Sequence, residues 1–343
     1  MFSPLPRAYY RAGKGNWRKA TRDVFLGGMP LNVGASCTCD RHPQQIDRAQ
    51  LLRPVIFIYR AGHSAQGSID IRVRHLGSAL KATSSSDSQI RARTEESIRH
   101  KIPKDSDVVL SKTVLTVANR DLVDNLVKNG NRIWADFVDG FETNVFERQL
   151  SGYLCASISE YQHRKRHSNQ AIFLAQQVDS RWPSGSFEKR GFGTVYVGGQ
   201  NGTKYLDQLP EVRAVTVSSY QRSSIFRKTV QAVEPYSHHI SVRQFFGEGV
   251  FKPETKATVA ARLGSVFIGS REDLESSLMF SEEYPYLADD SSLRSILHIL
   301  KYARATFGTK VWHMAVDEML TLRNHSCDLS VGIELRDWLI TQT

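Results

Sequence analysis

At 343 residues the chain is long enough for two domains, and its 41% hydrophobic and 23% charged residues give an ordinary globular balance. No run approaches the roughly 18 apolar residues that a membrane-spanning helix needs, and a chain this long with four cysteines does not read as a disulfide framework. The formal charge of +10 bears on partners rather than fold: phosphorylated donors, anionic lipid headgroups and nucleic acid are all attracted.

Residues 1–50 carry little periodicity and several glycines and prolines, including Gly27-Gly28-Met29-Pro30, and read as an irregular extension. The basic, aromatic first 25 residues lack the apolar core of about 7–15 residues that marks a secretory signal, so a cytoplasmic location is expected. Pro54–Tyr59 is a short continuous apolar run, the mark of a strand buried on both faces. A loop with Gly62 and Gly67 follows, then Ile69, Val73, Leu76 and Leu80 at helical spacing. Asp107–Ser111 reads as a second strand, Leu115–Val127 as a helix stopped at Asn129-Gly130, and Ile133–Val138 as a strand ending in Asp139-Gly140. Tyr153–Ser157 adds another strand.

A polar, basic segment, 161–169, separates this unit from a second with the same rhythm, and Tyr161–Arg166 reads as a solvated surface between lobes. Strands are expected at Ala171–Ala175, Gly193–Val197, Val212–Val217, His239–Val242 and Val266–Gly269, with helices at Ser223–Val233 and Lys256–Leu263. Helical patterns occupy Leu293–Phe307, Val311–Asn324 and Leu329–Leu339. Strands alternating with helices predict parallel sheets, with ligands at the carboxyl ends of the strands. The expected organisation is an extension (1–50), an N-terminal lobe (51–169), a C-terminal lobe (170–325) and a last helical segment (326–343).

The chemistry concentrates near residue 255. Pro253 and Glu254 suit a helix start, where outward-pointing amides and the helix dipole favour an anion. Lys252, Thr255 and Lys256 cluster there, and Arg243 ends the preceding strand. Cations around a helix tip suit a diphosphate, whereas a plain solvated basic cap has the same spacing.

The run Lys252-Pro253-Glu254-Thr255-Lys256, with Ala260-Ala261 and Gly264-Ser265-Val266, resembles the donor-site helix of GT-B glycosyltransferases, and looser likenesses in order extend from about residue 54 to 340. The resemblance implies an α/β fold of two Rossmann-like lobes facing across a cleft, with C-terminal helices returning to the N-terminal lobe. It implies a nucleotide-sugar donor held by Arg243, Lys252, Thr255 and Lys256, no bound divalent metal and no cofactor beyond that co-substrate. Gly199 and Asn201 in the Gly198–Gly202 turn, and Asp179 at a strand end, complete the expected donor set. Many retaining members carry two glutamates eight positions apart around this helix; Phe251 and Val259 occupy those positions here, which leaves the stereochemistry open.

An inverting enzyme needs a general base for the acceptor hydroxyl. In similar proteins it lies in the loop after the first strand, here holding His63 and Asp70, and Asp139 is a third candidate. Each has a plainer reading, as a backbone-bound loop histidine, a helix-start residue and a turn former.

Cys37-Thr38-Cys39 with His42 lacks the second ligand pair of a structural zinc site, and neither a Gly-x-x-x-x-Gly-Lys-Ser/Thr loop nor a Gly-x-Gly-x-x-Gly follows the first strand. The expected function is sugar transfer to a glycan or lipid-linked acceptor in polysaccharide biosynthesis, peripheral on the inner membrane face because a basic surface suits anionic lipid. A transferase for modified DNA bases and a non-catalytic nucleotide- or glycan-binding module are the alternatives.

Overall fold

The computed structural model describes residues 49–63, 69–85, 87–115, 120–138, 147–167, 170–188, 191–199, 203–216, 223–243 and 251–342. Most of the expected N-terminal extension, with Cys37, Cys39 and His42, lies outside the described residues.

Two all-parallel sheets organise the chain. The first has six strands, β1 (Val55–Tyr59), β2 (Ile90–Thr94), β3 (Asp107–Ser111), β4 (Arg132–Asp136), β5 (Gly152–Cys155) and β6 (Ala171–Phe173), in the order β2-β1-β3-β4-β5-β6. β3 and β5 are buried along their whole length, as expected for strands covered on both faces. The edge strand β2 exposes Arg91 and Ala92, a charged margin that discourages further pairing. Helices α1 (Leu76–Thr83), α2 (Glu95–His100), α3 (Lys112–Leu115), α4 (Arg120–Lys128) and α5 (Ile158–His167) follow in chain order, α1 being preceded by a π-turn over Asp70–His75.

The second sheet holds β7 (Thr194–Val197), β8 (Val212–Val215), β9 (His238–Ile240), β10 (Val266–Ser270) and β11 (Leu287–Ala288), ordered β11-β10-β9-β7-β8. Its helices are α6 (Ser223–Val233), α7 (Thr255–Leu263), α8 (Leu274–Met279), α9 (Leu293–Thr306) and α10 (Lys310–His325). Each lobe is thus Rossmann-like, and each sheet reverses its strand order once, between β1 and β3 in the first and between β7 and β9 in the second. Those switch points are where open α/β sheets form ligand crevices.

The strand at Ala171 differs from expectation. β6 pairs in parallel with β5, Tyr153 opposite Ala171, so it closes the first sheet rather than opening the second, and the passage between lobes falls after Phe173. The Tyr161–Arg166 run likewise belongs to α5, where Arg164 is buried rather than solvated.

The last helix, α11 (Asp328–Thr341), returns to the first lobe. Val331, Leu335 and Leu339 join the core formed by Val55, Phe57, Leu76 and Leu80. Trp338 meets Trp134 edge-on at 4.6 Å between ring centroids, and Arg336 donates to the Thr83 carbonyl at 2.9 Å. Gly332 permits the close crossing, since a β-carbon there would lie 2.5 Å from the Ala79 carbonyl oxygen. Among the described residues no helix is long and apolar enough to cross a membrane.

Candidate functional site

In the second lobe the fully buried β7 runs into Gly198, whose φ of +141° calls for glycine, and then Gly199. The Tyr196 hydroxyl donates to the Gly199 carbonyl at 2.7 Å and so fixes the turn. Lys256, in the first turn of α7, lies beside that turn: a β-carbon on Gly198 would be 3.7 Å from its Cε, and its ammonium sits 5.2 Å from the centre of the Tyr196 ring. Burial lowers the Lys256 pKa, while the nearby Glu254 pulls it the other way. Helix α7 seats flush on the sheet through Ala257, Thr258, Ala260 and Ala261, all at most 1% exposed, and ends at Gly264 in the left-handed conformation. Its N-cap residue, Glu254, makes no side-chain cap, while the Thr255, Ala257 and Thr258 amides donate to the Pro253 and Glu254 carbonyls at 3.0, 3.0 and 3.3 Å. Lys252 and Thr255 flank this tip, both half-buried. The turn after β7 and the start of α7 therefore stand together at the second sheet's switch point.

Arg243 takes a different role from the one expected of it. Its guanidinium donates to the Lys252 and Pro253 carbonyls at 2.9 and 2.6 Å, and pairs with Glu254 at 2.8 Å and Asp273 at 3.5 Å. Two carboxylates and two carbonyls engage it, so Arg243 braces the segment leading into α7. Glu254, fully buried, keeps one carboxylate oxygen without a hydrogen-bond partner among the described residues.

Asp179 forms a local ion pair with Arg181 at 2.5 Å. Burial acts to raise its pKa, but hydrogen bonds from the Arg181 side chain and amide outweigh burial and the net shift is downward. Asp139 and Asn201 lie outside the described residues. His63 closes a short 3-10 turn after β1 and Asp70 opens the π-turn; their side chains are also outside the described residues. The segment Glu282, Glu283, Tyr284 and Pro285 lines a wide groove at the β11 edge, together with Arg271 and Tyr302, and none of the candidate site residues contributes to that groove.

The sequence reading passed over a buried ionic cluster at the carboxyl edge of the first sheet. Asp136, the last residue of β4, accepts from Arg72 Nε at 2.8 Å, with both side chains at most 2% exposed. Arg72 also donates to the Leu174 carbonyl at 3.2 Å. Nearby Glu160 and Arg164, on α5, stand 3.8 Å apart, and the Arg164 guanidinium lies over the Tyr153 and Phe137 rings at 4.3 and 5.1 Å. Burial raises the Asp136 pKa and lifts Glu160 to about 8, partly offset in each case by the adjacent arginine. Two signals were present: Arg72 falls on the apolar face set by Ile69, Val73 and Leu76, and Glu160-Arg164 has helical i, i+4 spacing.

Among the described residues no group of three or more His, Cys, Asp or Glu side chains has the arrangement of a metal site.

No protein-family model matches the chain, and no curated protein sequence matches it. Among solved structures it is similar to the GtfA/B complex, at 11% identity and TM-score 0.44 over 71% of this chain and 58% of that one. It is similar also to the pneumococcal O-GlcNAc transferase GtfA in complex with UDP and GlcNAc, at 11% identity and TM-score 0.37 over 71% and 56%. TarM matches at 8% identity and TM-score 0.40, over 72% of this chain and 54% of that chain. The chain thus spans a little over half the length of these structures. Scores this low add no weight to the strand pairings, on which the two-lobed description rests.

Proposed function

We propose that the protein is a glycosyltransferase that takes a sugar from a nucleoside diphosphate donor held by the second lobe. The observation that carries this reading is the switch point between β7 and β9, where the Gly198-Gly199 turn, the start of α7 and Lys256 adjoin. Backbone without side chains allows a diphosphate to approach closely, and the positive end of the α7 dipole with a lysine complements its charge. Lys256, with Lys252 and Thr255 beside it, faces the phosphates; Arg243 holds Lys252 and Pro253 in place, so its contribution to the donor is indirect.

In the reaction an acceptor hydroxyl oxygen attacks the anomeric carbon, the bond from that carbon to the diphosphate oxygen breaks, and the diphosphate leaves with the electron pair. Fixed amide dipoles and lysine charge at α7 stabilise that leaving group without a metal ion. The hydroxyl proton passes to a base in the first lobe, for which we retain His63, Asp70 and Asp139. His63 closes the turn that follows β1, at the first sheet's switch point, Asp70 opens the π-turn before α1, and Asp139 lies outside the described residues. A glycan or lipid-linked acceptor suits the basic chain, and DNA is the competing anionic acceptor.

The test is to incubate the protein with a panel of nucleotide sugars and candidate acceptors, and to measure released nucleoside diphosphate. One donor is expected to be consumed, with transfer accelerated by one acceptor class and abolished in Lys256→Ala. Absence of turnover with every donor, together with failure of any nucleotide to bind, contradicts the reading.

A further inference from the structure

The chain passes between the lobes twice, after β6 at residues 174–193 and again between α10 and α11 at 326–327. A third tie is non-covalent. Glu275, on α8 of the second lobe, accepts hydrogen bonds from the Ile158 amide at 2.7 Å, the Ser159 amide at 3.1 Å and the Ser159 hydroxyl at 2.8 Å, all in the first turn of α5. The first N–H groups of a helix have no partner within it. Here the Glu160 amide is met from within the lobe, by Ser157 Oγ at 3.2 Å, while the two preceding amides are met from the other lobe.

The surroundings mark this contact as more than a surface cap. Glu275 is 3% exposed, and the charges that face it are Arg243 from the second lobe and Glu160 from α5. On its own helix, Asp273 caps the Ser276 amide at 3.1 Å and pairs with Arg243, and Ser276 Oγ reaches Glu254 at 3.4 Å. A continuous polar chain therefore runs from the start of α7, through Glu254, Ser276 and α8, into α5. One turn further along α5, the His163 ring packs against Phe251 of the second lobe at 4.9 Å.

We propose that Glu275 is an interlobe latch, whose carboxyl oxygens complete the first turn of α5 and thereby hold the two lobes together. When the lobes part, the three hydrogen bonds are exchanged for water on both sides, so the net tie is modest and readily reversed. Any coupling of the latch to donor binding rests on the glycosyltransferase reading, because it runs through the start of α7; the latch itself does not.

Hydrogen exchange and small-angle scattering on the full chain, without nucleotide, test it with Glu275→Gln and Ser157→Ala. The glutamine retains one acceptor but sets an N–H₂ against an amide. It is expected to speed exchange of the 157–161 segment roughly tenfold and to raise the radius of gyration. Ser157→Ala removes the intralobe cap and the long 3.4 Å contact to the Ser159 hydroxyl but none of the three bonds to Glu275, and is expected to speed exchange there while leaving the radius of gyration unchanged. Should Glu275→Gln behave as Ser157→Ala does, the residue is a local cap and the latch is refuted. If Glu275→Gln does not fold, Ser159→Ala removes the hydroxyl leg alone; it is expected to give a smaller change of the same kind, and unchanged exchange and dimensions overturn the proposal. A protein that shows the latch yet binds no nucleotide separates failure of the donor reading from failure of this one.

Discussion

The two lobes share a strand order, and both bury matched charges, as Arg243 with Glu254 and Asp273 shows in the second, but they differ in what lies at the carboxyl edge of the sheet. In the first, Arg72, Asp136, Glu160 and Arg164 lie beneath the carboxyl edge of the sheet, each at most 4% exposed and matched with a partner of opposite charge. In the second, small residues seat α7 and leave two half-buried lysines at its tip. Matched charges under a surface fix the loops above them, whereas a lysine at a helix start adds to the positive end of the helix dipole.

The largest expected effect breaks the first half of that contrast. Asp136→Ala leaves the Arg72 charge buried and unpaired, and should cost about 3–5 kcal/mol in urea unfolding. Combining Asp136→Leu with Arg72→Met should recover most of that loss, as expected if the pair serves structure. Next, Gly332→Ala tests the return of α11 to the first lobe: its methyl meets the Ala79 carbonyl at 2.5 Å, and overpacking of this kind costs about 1–3 kcal/mol. Gly198→Ala, at φ +141°, should cost about 1 kcal/mol and displace the turn against Lys256, seen as a lower melting temperature and weaker nucleotide binding. A further effect is on pH. Burial raises Glu160 to about 8 and Glu275 to about 7, from 4.5. The folded state therefore holds these protons more tightly than the unfolded one, and the stability they give is complete below about pH 4.5 and lost as pH rises through 7 and 8. The melting temperature should fall between pH 5 and 8 from this source, and Glu160→Gln should flatten the upper part of that fall.

Much of this architecture was legible in the residues themselves. The apolar runs at Val55–Tyr59 and Asp107–Ser111 are buried strands, and helix α6 spans the expected residues. Strand β2 was not legible because an edge strand with Arg91 and Arg93 lacks the apolar run of its neighbours. Helix α5 was hidden by composition: Tyr161–Arg166 reads as solvated until Tyr153 and Phe137 are brought beneath Arg164. Within the site, the cations around residue 255 were visible, but the neutralisation of Arg243 was not, since Glu254 and Asp273 reach it only through the fold. Glu275 gave no local signal at all, its partner amides lying 117 and 116 positions away.

The account depends most on the start of α7 meeting a diphosphate, and calorimetric titration of UDP, GDP, dTDP and ADP into the wild type and Lys256→Ala tests this directly. One nucleotide should bind the wild type, and its affinity should fall roughly tenfold to a hundredfold in the variant, as for loss of a charged hydrogen bond, with no change in the melting temperature of the unliganded protein. Equal affinity in the two proteins, or no binding of any nucleotide to the wild type, would contradict it.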